Sequence, residues 1–360
     1  MFDLNPGEEL GLLVETARSF AENELAPELR RFESTRAVDE TVGRKFSQIG
    51  LSGLEIPESL GGSGLGAVAR VLVNEELGAA DAGAALALDP LGPALYPLLE
   101  LGDESALPEL ITPLLEREAT RAVLVSDRDG KLEIGADSVS GRIPWVPADH
   151  VDLLIVLQGD GALAIRGGMK TSTVRGSGLR AAGASELQLD KAVAKRWQGE
   201  PGARRALARA RLYVASLIVG VLRQAAEFSR KYALERTAFG KPIAHHQALA
   251  FLITDMRTAV DGARLLVQEA AWHCDQGLPC EALAAAAFVE AVEVSRFVGP
   301  NGVQILGGHG FMQDFPVEKY MRDARALGLM LGGVDAAREE AGCLLCEGDA
   351  PVALSHGERR

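Results

Sequence analysis

Residues 207–228, LARARLYVASLIVGVLRQAAEF, carry the strongest structural pattern in the chain. The apolar residues recur at intervals of three, four and seven, the period of one face of an α-helix: Leu207, Val214, Leu217, Val221, Ala225 and Phe228. A second apolar pattern follows Pro242, and alanine-rich residues 282–298 supply a third. Long helices with many small residues predict a close-packed four-helix bundle in this part of the chain.

Two segments with different hydrophobic patterns precede this bundle. Short apolar runs bounded by Gly, Asp or Ser predict strands of a small β-barrel or sandwich, at 123–125, 153–156, 162–165 and 187–189. Before them the spacing is helical again, interrupted by the glycine- and proline-containing segment 50–65. The sequence predicts a mainly α protein with an inserted β domain: an N-terminal helical domain (1–121), a middle β domain (122–198) and a C-terminal helical bundle domain (199–360).

The charge and the chain's first residues limit its location and partners. The 360 residues carry a net charge of −13, which repels phosphate backbones and argues against a nucleic-acid partner. A few local arginines can still hold a small phosphate-bearing molecule. Residues 1–9 lack a basic, apolar leader, and no apolar run is long enough to cross a bilayer. We expect a cytoplasmic protein without membrane contact.

The cysteines and histidines predict no metal site. Four cysteines are too few for a disulfide framework, which agrees with a reducing compartment: Cys274, Cys280, Cys343 and Cys346. The last two have CxxC spacing but lack a second ligand pair, and we interpret them as core or surface thiols in a helix. The neighbouring His245 and His246 are interpreted as a helix cap or an interface pair. His309 is assigned no role.

Several longer motifs share one resemblance. They are KYALERTAFGKPI (231–243) with His246-Gln247 and Thr254-Asp-Met256, VQILGGHGF (303–311), FPVEKYMRDA (315–324), IPESLGGSG (56–64) and Glu75-Glu-Leu77. Together they resemble the signatures of the acyl-CoA dehydrogenase family, in the same zone order and over the whole chain. The resemblance implies FAD as cofactor, α,β-dehydrogenation of an acyl-CoA thioester, a dimer of dimers, and an electron-transfer flavoprotein or similar electron acceptor.

The same motifs contain candidate cofactor residues. An arginine offers a planar fork of donors to a pyrophosphate, an aromatic ring can face adenine or ribose, and glycines let the backbone approach a ligand. Singly, each is better interpreted as a surface arginine, a core aromatic residue or a helix-breaking glycine pair, whereas together, at matching spacing, they favour a cofactor site. The resemblance implies that six residues hold the adenosine-pyrophosphate half of a neighbouring subunit's FAD: Arg236, Phe239, Gln247, Gln304, Gly307 and Gly308.

Two further candidates keep two interpretations each. Arg211 lies where the family places an arginine that contacts the thioester substrate, but it also belongs to a basic run that could be a solvated helix face. Trp145 lies where the family usually has a Trp-Ile-Thr segment against the flavin ring. Here Pro147 replaces the threonine, and a packed core tryptophan is the equal alternative.

The expected catalytic base is missing from both of its usual places. Removal of a proton from Cα of a thioester requires a positioned base, in this family a glutamate. Leu331 occupies the common position of that glutamate and Ala210 the position used by a minority of members. Nearby Asp335, Glu339 and Glu340 are interpreted as solvated charges. Residues 123–130 also replace the family's Thr-Glu-Pro loop that wraps the chain's own flavin.

These departures suggest a subunit that has kept the residues reaching a partner's cofactor and lost its own base. The hypothesis is a heteromer with a glutamate-bearing relative, whose FAD site this chain completes. Three alternatives stay open at this point. The chain could be a self-sufficient dehydrogenase with an unrecognised base, a flavin-free scaffold with the same fold, or a relative that oxidises something other than a thioester.

Overall fold

The computed structural model describes residues 7–116, 121–128 and 130–347. Residues 1–6, part of the segment without a leader pattern, and Asp129 of the segment 123–130 lie outside this range. In the described residues the chain runs from helices through a sheet back to helices, and the predicted fold class is confirmed. The helices are α1 (Gly7–Phe20), α2 (Leu29–Thr35), α3 (Glu40–Gln48), α4 (Ala67–Leu88), α5 (Leu95–Leu101), α6 (Leu107–Leu115), α7 (Glu200–Glu235), α8 (Gln247–Asp275), α9 (Glu281–Leu306), α10 (Val317–Leu327) and α11 (Gly333–Glu347).

The middle of the chain forms one mixed sheet with its own apolar core. Its strands are β1 (Ala122–Ser126), β2 (Glu133–Ile134), β3 (Ser138–Val146), β4 (Leu153–Gln158), β5 (Gly161–Ile165), β6 (Met169–Thr173) and β7 (Ser185–Gln198). The order is β1-β4-β5-β7-β3-β2, with β6 also paired to β7, and only the β1–β4 pair is parallel. The four predicted apolar runs lie in β1, β4, β5 and β7. The more polar β2, β3 and β6 were not predicted, because their alternation is weak.

The central helix α7 packs against α4, α8 and α9. Its predicted apolar stripe is buried from Val214 to Ala225 and half-buried at its two ends, Leu207 and Phe228. Glycines let α4 and α7 approach closely. A Cβ at Gly220 would lie 2.2 Å from Glu75 O, and one at Gly78 would lie 2.7 Å from Leu217 O. Neither position can accept a side chain without moving a helix backbone, so the contact between these helices depends on both glycines.

A buried lysine joins the three parts of the fold. Lys319 Nζ on α10 lies 2.9 Å from Asp81 Oδ1 on α4 and 2.5 Å from Asp323 Oδ2. The other oxygen of Asp323 accepts the N–H of Leu179, just before β7, at 2.7 Å. Burial opposes the charge of Lys319, but the attraction of Asp323 and Asp81 prevails and raises its pKa. The ammonium group therefore stays charged in the core.

Asp81 also determines the course of α4. Its backbone is extended (φ −158°, ψ 106°) and interrupts the helix. Its side chain then accepts the N–H groups of Gly83 at 2.9 Å and Ala84 at 3.2 Å. These are the hydrogen bonds of an N-cap, so Asp81 restarts the second half of α4 while it binds Lys319.

The N-terminus of α4 is capped by a side chain that is distant in the sequence. Asp275, the last residue of α8, accepts the N–H groups of Ala67 at 2.6 Å and Val68 at 2.9 Å. A Cβ at Gly66 would lie 2.4 Å from this carboxylate, so glycine is required there. This cap explains why α4 begins at Ala67, just after the predicted glycine- and proline-containing segment 50–65.

One pair of cysteines is bridged, contrary to the expectation of a chain without disulfides. Cys274 and Cys280 form a disulfide across the turn between α8 and α9, directly beside Asp275. Both are buried. Cys343 and Cys346 are exposed free thiols on α11, which confirms their interpretation as helical thiols.

Two absences are found in the described part of the chain. Its helices are too short or too polar to cross a membrane. Its histidine, cysteine and acidic side chains form no group of three or more that could hold a metal ion.

We predict that Lys319→Met destabilises the protein by about 3–5 kcal/mol, because it leaves two carboxylates buried without their cation. Urea unfolding followed by circular dichroism measures this loss. The matched control is Arg338→Met, which removes an exposed ion pair with Glu293 and should cost about 0–1 kcal/mol. Equal losses in the two variants would contradict the assigned role of Lys319.

We predict that reducing the disulfide lowers the free energy of unfolding by about 2 kcal/mol, the chain-entropy value for so short a loop. Urea unfolding of the unmodified protein with and without dithiothreitol tests this, and Cys274→Ser should lose the effect of the reductant. Cys343→Ser, which changes an exposed thiol, should retain it. A midpoint that does not respond to the reductant would refute the prediction.

Candidate functional site

The α7–α8 connection displays three of the candidate cofactor residues on the surface. Arg236 directly follows the last residue of α7. A short hairpin of β8 (Thr237–Ala238) and β9 (Lys241–Pro242) comes next. Phe239 and Gly240 form its turn with φ of +52° and +80°. The Phe239 side chain is 95% exposed, so its interpretation as a core residue is wrong. Gln247 opens α8 and is also exposed.

An aromatic contact brings the glycine motif to the same end of the bundle. The hydroxyl of Tyr232, three residues before the end of α7, lies 2.9 Å from His309 Nδ1. The imidazole stacks on Phe315 with ring centroids 4.8 Å apart. His309 therefore holds the segment after α9 against the end of α7. We call the exposed residues gathered here the bundle-end surface: Arg236, Phe239, Gln247, Gln304, Gly307 and Gly308.

The chemistry of the bundle-end surface fits a dinucleotide. A Cβ built at Gly308 would meet no atom within 4 Å, so packing within the chain does not require glycine there. The space around Gly307 is equally open, but its φ of +57° at the end of α9 favours glycine in any case. Backbone open to close approach, a guanidinium fork, two amides and an exposed ring are the groups that pyrophosphate and adenosine need. Phe239 is exposed in a left-handed conformation, and within the chain its ring meets that of His246 edge-on, with ring centroids 6.0 Å apart.

A cleft between the sheet and the bundle contains the tryptophan candidate. Its volume is about 570 Å³, within the range of small-molecule sites. Trp145 is half-buried and forms part of the wall rather than a sealed core. We call this space the Trp145 cleft. Its lining residues are Trp145, Gly176, Ser177, Gly178, Ser295, Arg296, Pro300, Met321, Arg322, Arg325, Ala326 and Leu329. The residues other than Trp145 come from three distant segments, 176–178, 295–300 and 321–329. They were not predicted because no local pattern links these segments.

A second cavity, of about 380 Å³, contains the substrate-arginine candidate. We call it the Arg211 pocket. Arg211 is only 1% exposed, so its interpretation as a solvated helix charge is wrong. Its Nη1 lies 2.7 Å from Glu340 Oε2. Burial lowers the pKa of the Arg211 guanidinium, and the attraction of Glu340 opposes this effect.

Leu331 lines the same pocket on an unusual turn. Three consecutive residues have positive φ: Leu331 at +56°, Gly332 at +85° and Gly333 at +74°. A leucine in this region costs roughly 1–2 kcal/mol relative to a right-handed conformation. The strained turn between α10 and α11 directs the side chain into the interior, where it is 5% exposed. Ala210 is buried within α7.

Glu340 is the functional candidate that sequence reasoning missed. Asp335 and Glu339 are largely exposed, as predicted, but only 22% of the Glu340 side chain is exposed, and its interpretation as a solvated charge is wrong. The signal was present in the sequence. Glu340 lies four residues after Ala336 and four before Leu344, in the buried stripe of α11. Glu339 pairs instead with Arg128, just after β1.

Comparison with known proteins agrees with this architecture. The family model for the acyl-CoA dehydrogenase N-terminal domain matches residues 7–118, and that for the C-terminal domain matches 198–340. Benzylmalonyl-CoA dehydrogenase of Aromatoleum aromaticum is 26% identical over 90% of this chain and 94% of its own. Human mitochondrial short-chain specific acyl-CoA dehydrogenase is 28% identical over 87% and 84%, respectively. The structure of butyryl-CoA dehydrogenase from Megasphaera elsdenii superposes with a TM-score of 0.84 at 23% identity, covering 96% of this chain and 100% of the other.

The three-part fold and the matched terminal domains define a flavin-dependent oxidoreductase. The chain belongs to the acyl-CoA dehydrogenase family, whose members use FAD to dehydrogenate acyl-CoA thioesters.

Proposed function

We propose that this chain is one subunit of an oligomeric acyl-CoA dehydrogenase, and that its bundle-end surface binds the adenosine-pyrophosphate half of an FAD shared with a neighbouring subunit. The observation that carries this proposal is the exposure of these groups on one surface. Phe239 is 95% exposed, and a Cβ at Gly308 would meet open space. Groups that recognise a dinucleotide but face away from their own chain suit a site completed by a second chain.

In this proposal each residue of the surface has a chemical task. The Arg236 guanidinium and the amides of Gln247 and Gln304 donate to phosphate or ribose oxygens. Phe239 covers an aromatic or sugar face, and the two glycines leave room for the backbone to approach. When bound, FAD supplies the oxidant that accepts a hydride from the substrate. The Trp145 cleft offers a largely apolar wall for a flat ring.

We further propose that this chain lacks the base for the proton-transfer half of the reaction. The Leu331 side chain in the Arg211 pocket cannot accept a proton, and the nearby Glu340 is held by Arg211 through one of its two oxygens, Oε2. Absence of a positioned base typically costs about 10²- to 10⁴-fold in rate. A partner subunit with a glutamate at the corresponding place would supply it, and the assembly would be a heteromeric dimer of dimers.

An electron-transfer flavoprotein or a similar acceptor would reoxidise the assembly. The cytoplasmic location remains a prediction, as does the division into domains at residues 121 and 198.

One observation favours a second candidate, a self-sufficient dehydrogenase. Glu340 brings a carboxylate into the pocket that also contains Arg211 and Leu331. If it serves as the base, the lone chain should turn over an acyl-CoA and Glu340→Gln should abolish that activity. In the preferred proposal the lone chain is nearly inert before any substitution.

We predict that Phe239→Ser and Arg236→Gln reduce the FAD bound per oligomer by at least tenfold without changing the unfolding midpoint, because both side chains are exposed. Flavin absorbance after gel filtration and urea unfolding measure the two effects. The control is Leu12→Ser, which alters another exposed apolar residue. Full FAD content in both variants would refute a cofactor role for this surface.

We predict that Leu331→Glu raises acyl-CoA-dependent reduction of an artificial acceptor by about 10²-fold or more in the FAD-loaded protein, because it adds the missing base. Leu331→Gln has the same length without a basic carboxylate and should not gain activity. The measurement is initial rate with a series of acyl-CoA thioesters. Full turnover by the unmodified lone chain would exclude the proposed absence of a base.

A further inference from the structure

The Arg211 pocket contains two buried polar atoms without a hydrogen-bond partner from the protein. Arg211 Nε is a donor, and Glu340 Oε1 is an acceptor. The same two side chains are joined through their other atoms, Nη1 and Oε2. Buried polar groups in folded proteins are nearly always satisfied, so this open donor and open acceptor require partners from outside the chain.

The charge of the pair limits what can bind. Arg211 and Glu340 neutralise each other, so an anion attracted by the guanidinium also approaches a carboxylate. That repulsion is strong where water is largely excluded. A group that only accepts, such as an ester or thioester carbonyl, can satisfy Arg211 Nε but leaves Glu340 Oε1 unpaired. A hydroxyl accepts and donates through one oxygen, and a primary amide does so through two atoms.

The residues that line the pocket indicate the polarity of the rest of the ligand. Aliphatic side chains form about half of the rest of the lining, with Leu157, Leu207, Leu331 and Leu344 the largest of them. The polar and charged members of the lining are Ser126, Arg128, Gln158, Arg204 and Glu339. Apolar walls with a few convergent polar groups are typical of sites for small, mostly apolar molecules, in which the polar groups determine orientation and specificity.

We infer that the Arg211 pocket selects an apolar acyl group that carries a hydroxyl or a primary amide, and that Glu340 is its specificity-determining residue. A carboxylate in this position disfavours plain and anionic acyl chains. The inference rests on the proposed function for the statement that the ligand is an acyl group. It does not depend on which subunit supplies the base.

The test compares the binding affinities of four probes of equal carbon number for the full-length, FAD-containing protein. The affinities are ranked by competition in ligand-observed NMR. Hexan-1-ol and hexanamide both donate and accept, methyl pentanoate only accepts, and hexanoate is an anion. We expect the first two to bind roughly 10- to 100-fold more tightly than the others, as for hydrogen bonds to charged groups. Equal or tighter binding of methyl pentanoate or hexanoate would overturn the inference. So would no binding of any probe, since water would then serve the open atoms.

Two variants test whether Glu340 determines the order of the four binding affinities. Glu340→Gln retains the shape but removes the charge, and hexanoate should gain roughly tenfold in affinity because Arg211 is no longer neutralised. Glu293→Gln removes the ion pair between α9 and Arg338 of α11, away from the pocket, and should leave the ranking unchanged. If Glu340→Gln does not fold, the ranking with unmodified protein still decides. Binding is read without turnover or FAD exchange, so its failure leaves the proposed function standing.

Discussion

A single buried ammonium group connects the helices at the start of the chain, the sheet and the bundle. Lys319 binds Asp81 on α4 and Asp323 on α10, and Asp323 in turn accepts the backbone N–H of Leu179. Each of these side chains is about 1% exposed. Because α10 and the loop at 176–178 both line the Trp145 cleft, the relative position of the cleft walls depends on this ion cluster.

The end of α10 then divides two cavities. Leu329 lines the Trp145 cleft and Leu331, two residues later, lines the Arg211 pocket. The chain turns sharply from Leu331 onward, because this residue and the two glycines after it adopt left-handed conformations. The residue at 331 can therefore alter the chemistry of one cavity without reshaping the other. Two ion pairs, Arg322 with Glu33 and Arg30 with Glu318, hold α10 against α2.

Local patterns predicted the three long bundle helices and four strands, because their signals lie within a few residues. The stripe of α7 and the glycine-bounded apolar runs needed no knowledge of distant partners. The Arg211–Glu340 pair was missed because its members are 129 residues apart and each resembles a surface charge in its own segment. The cap on α4 was missed for the same reason, since Asp275 lies 208 residues from Ala67. The disulfide joins cysteines only six residues apart, and it was missed because four cysteines alone do not indicate a disulfide. The motif resemblance proposed the residues of the bundle-end surface, but it could not indicate that Glu340 enters the Arg211 pocket.

The two side chains that stabilise α4 have a consequence for the order of synthesis. Asp275 lies 208 residues after the backbone N–H of Ala67 that it caps, and Lys319 lies 238 residues after Asp81. A nascent chain that has emerged only through the sheet contains all of α4 but neither of these partners. Its mostly apolar surface, awaiting α7, α8 and α10, then faces the solvent during translation. The first helical layer is therefore completed only after α8 and α10 have been synthesised.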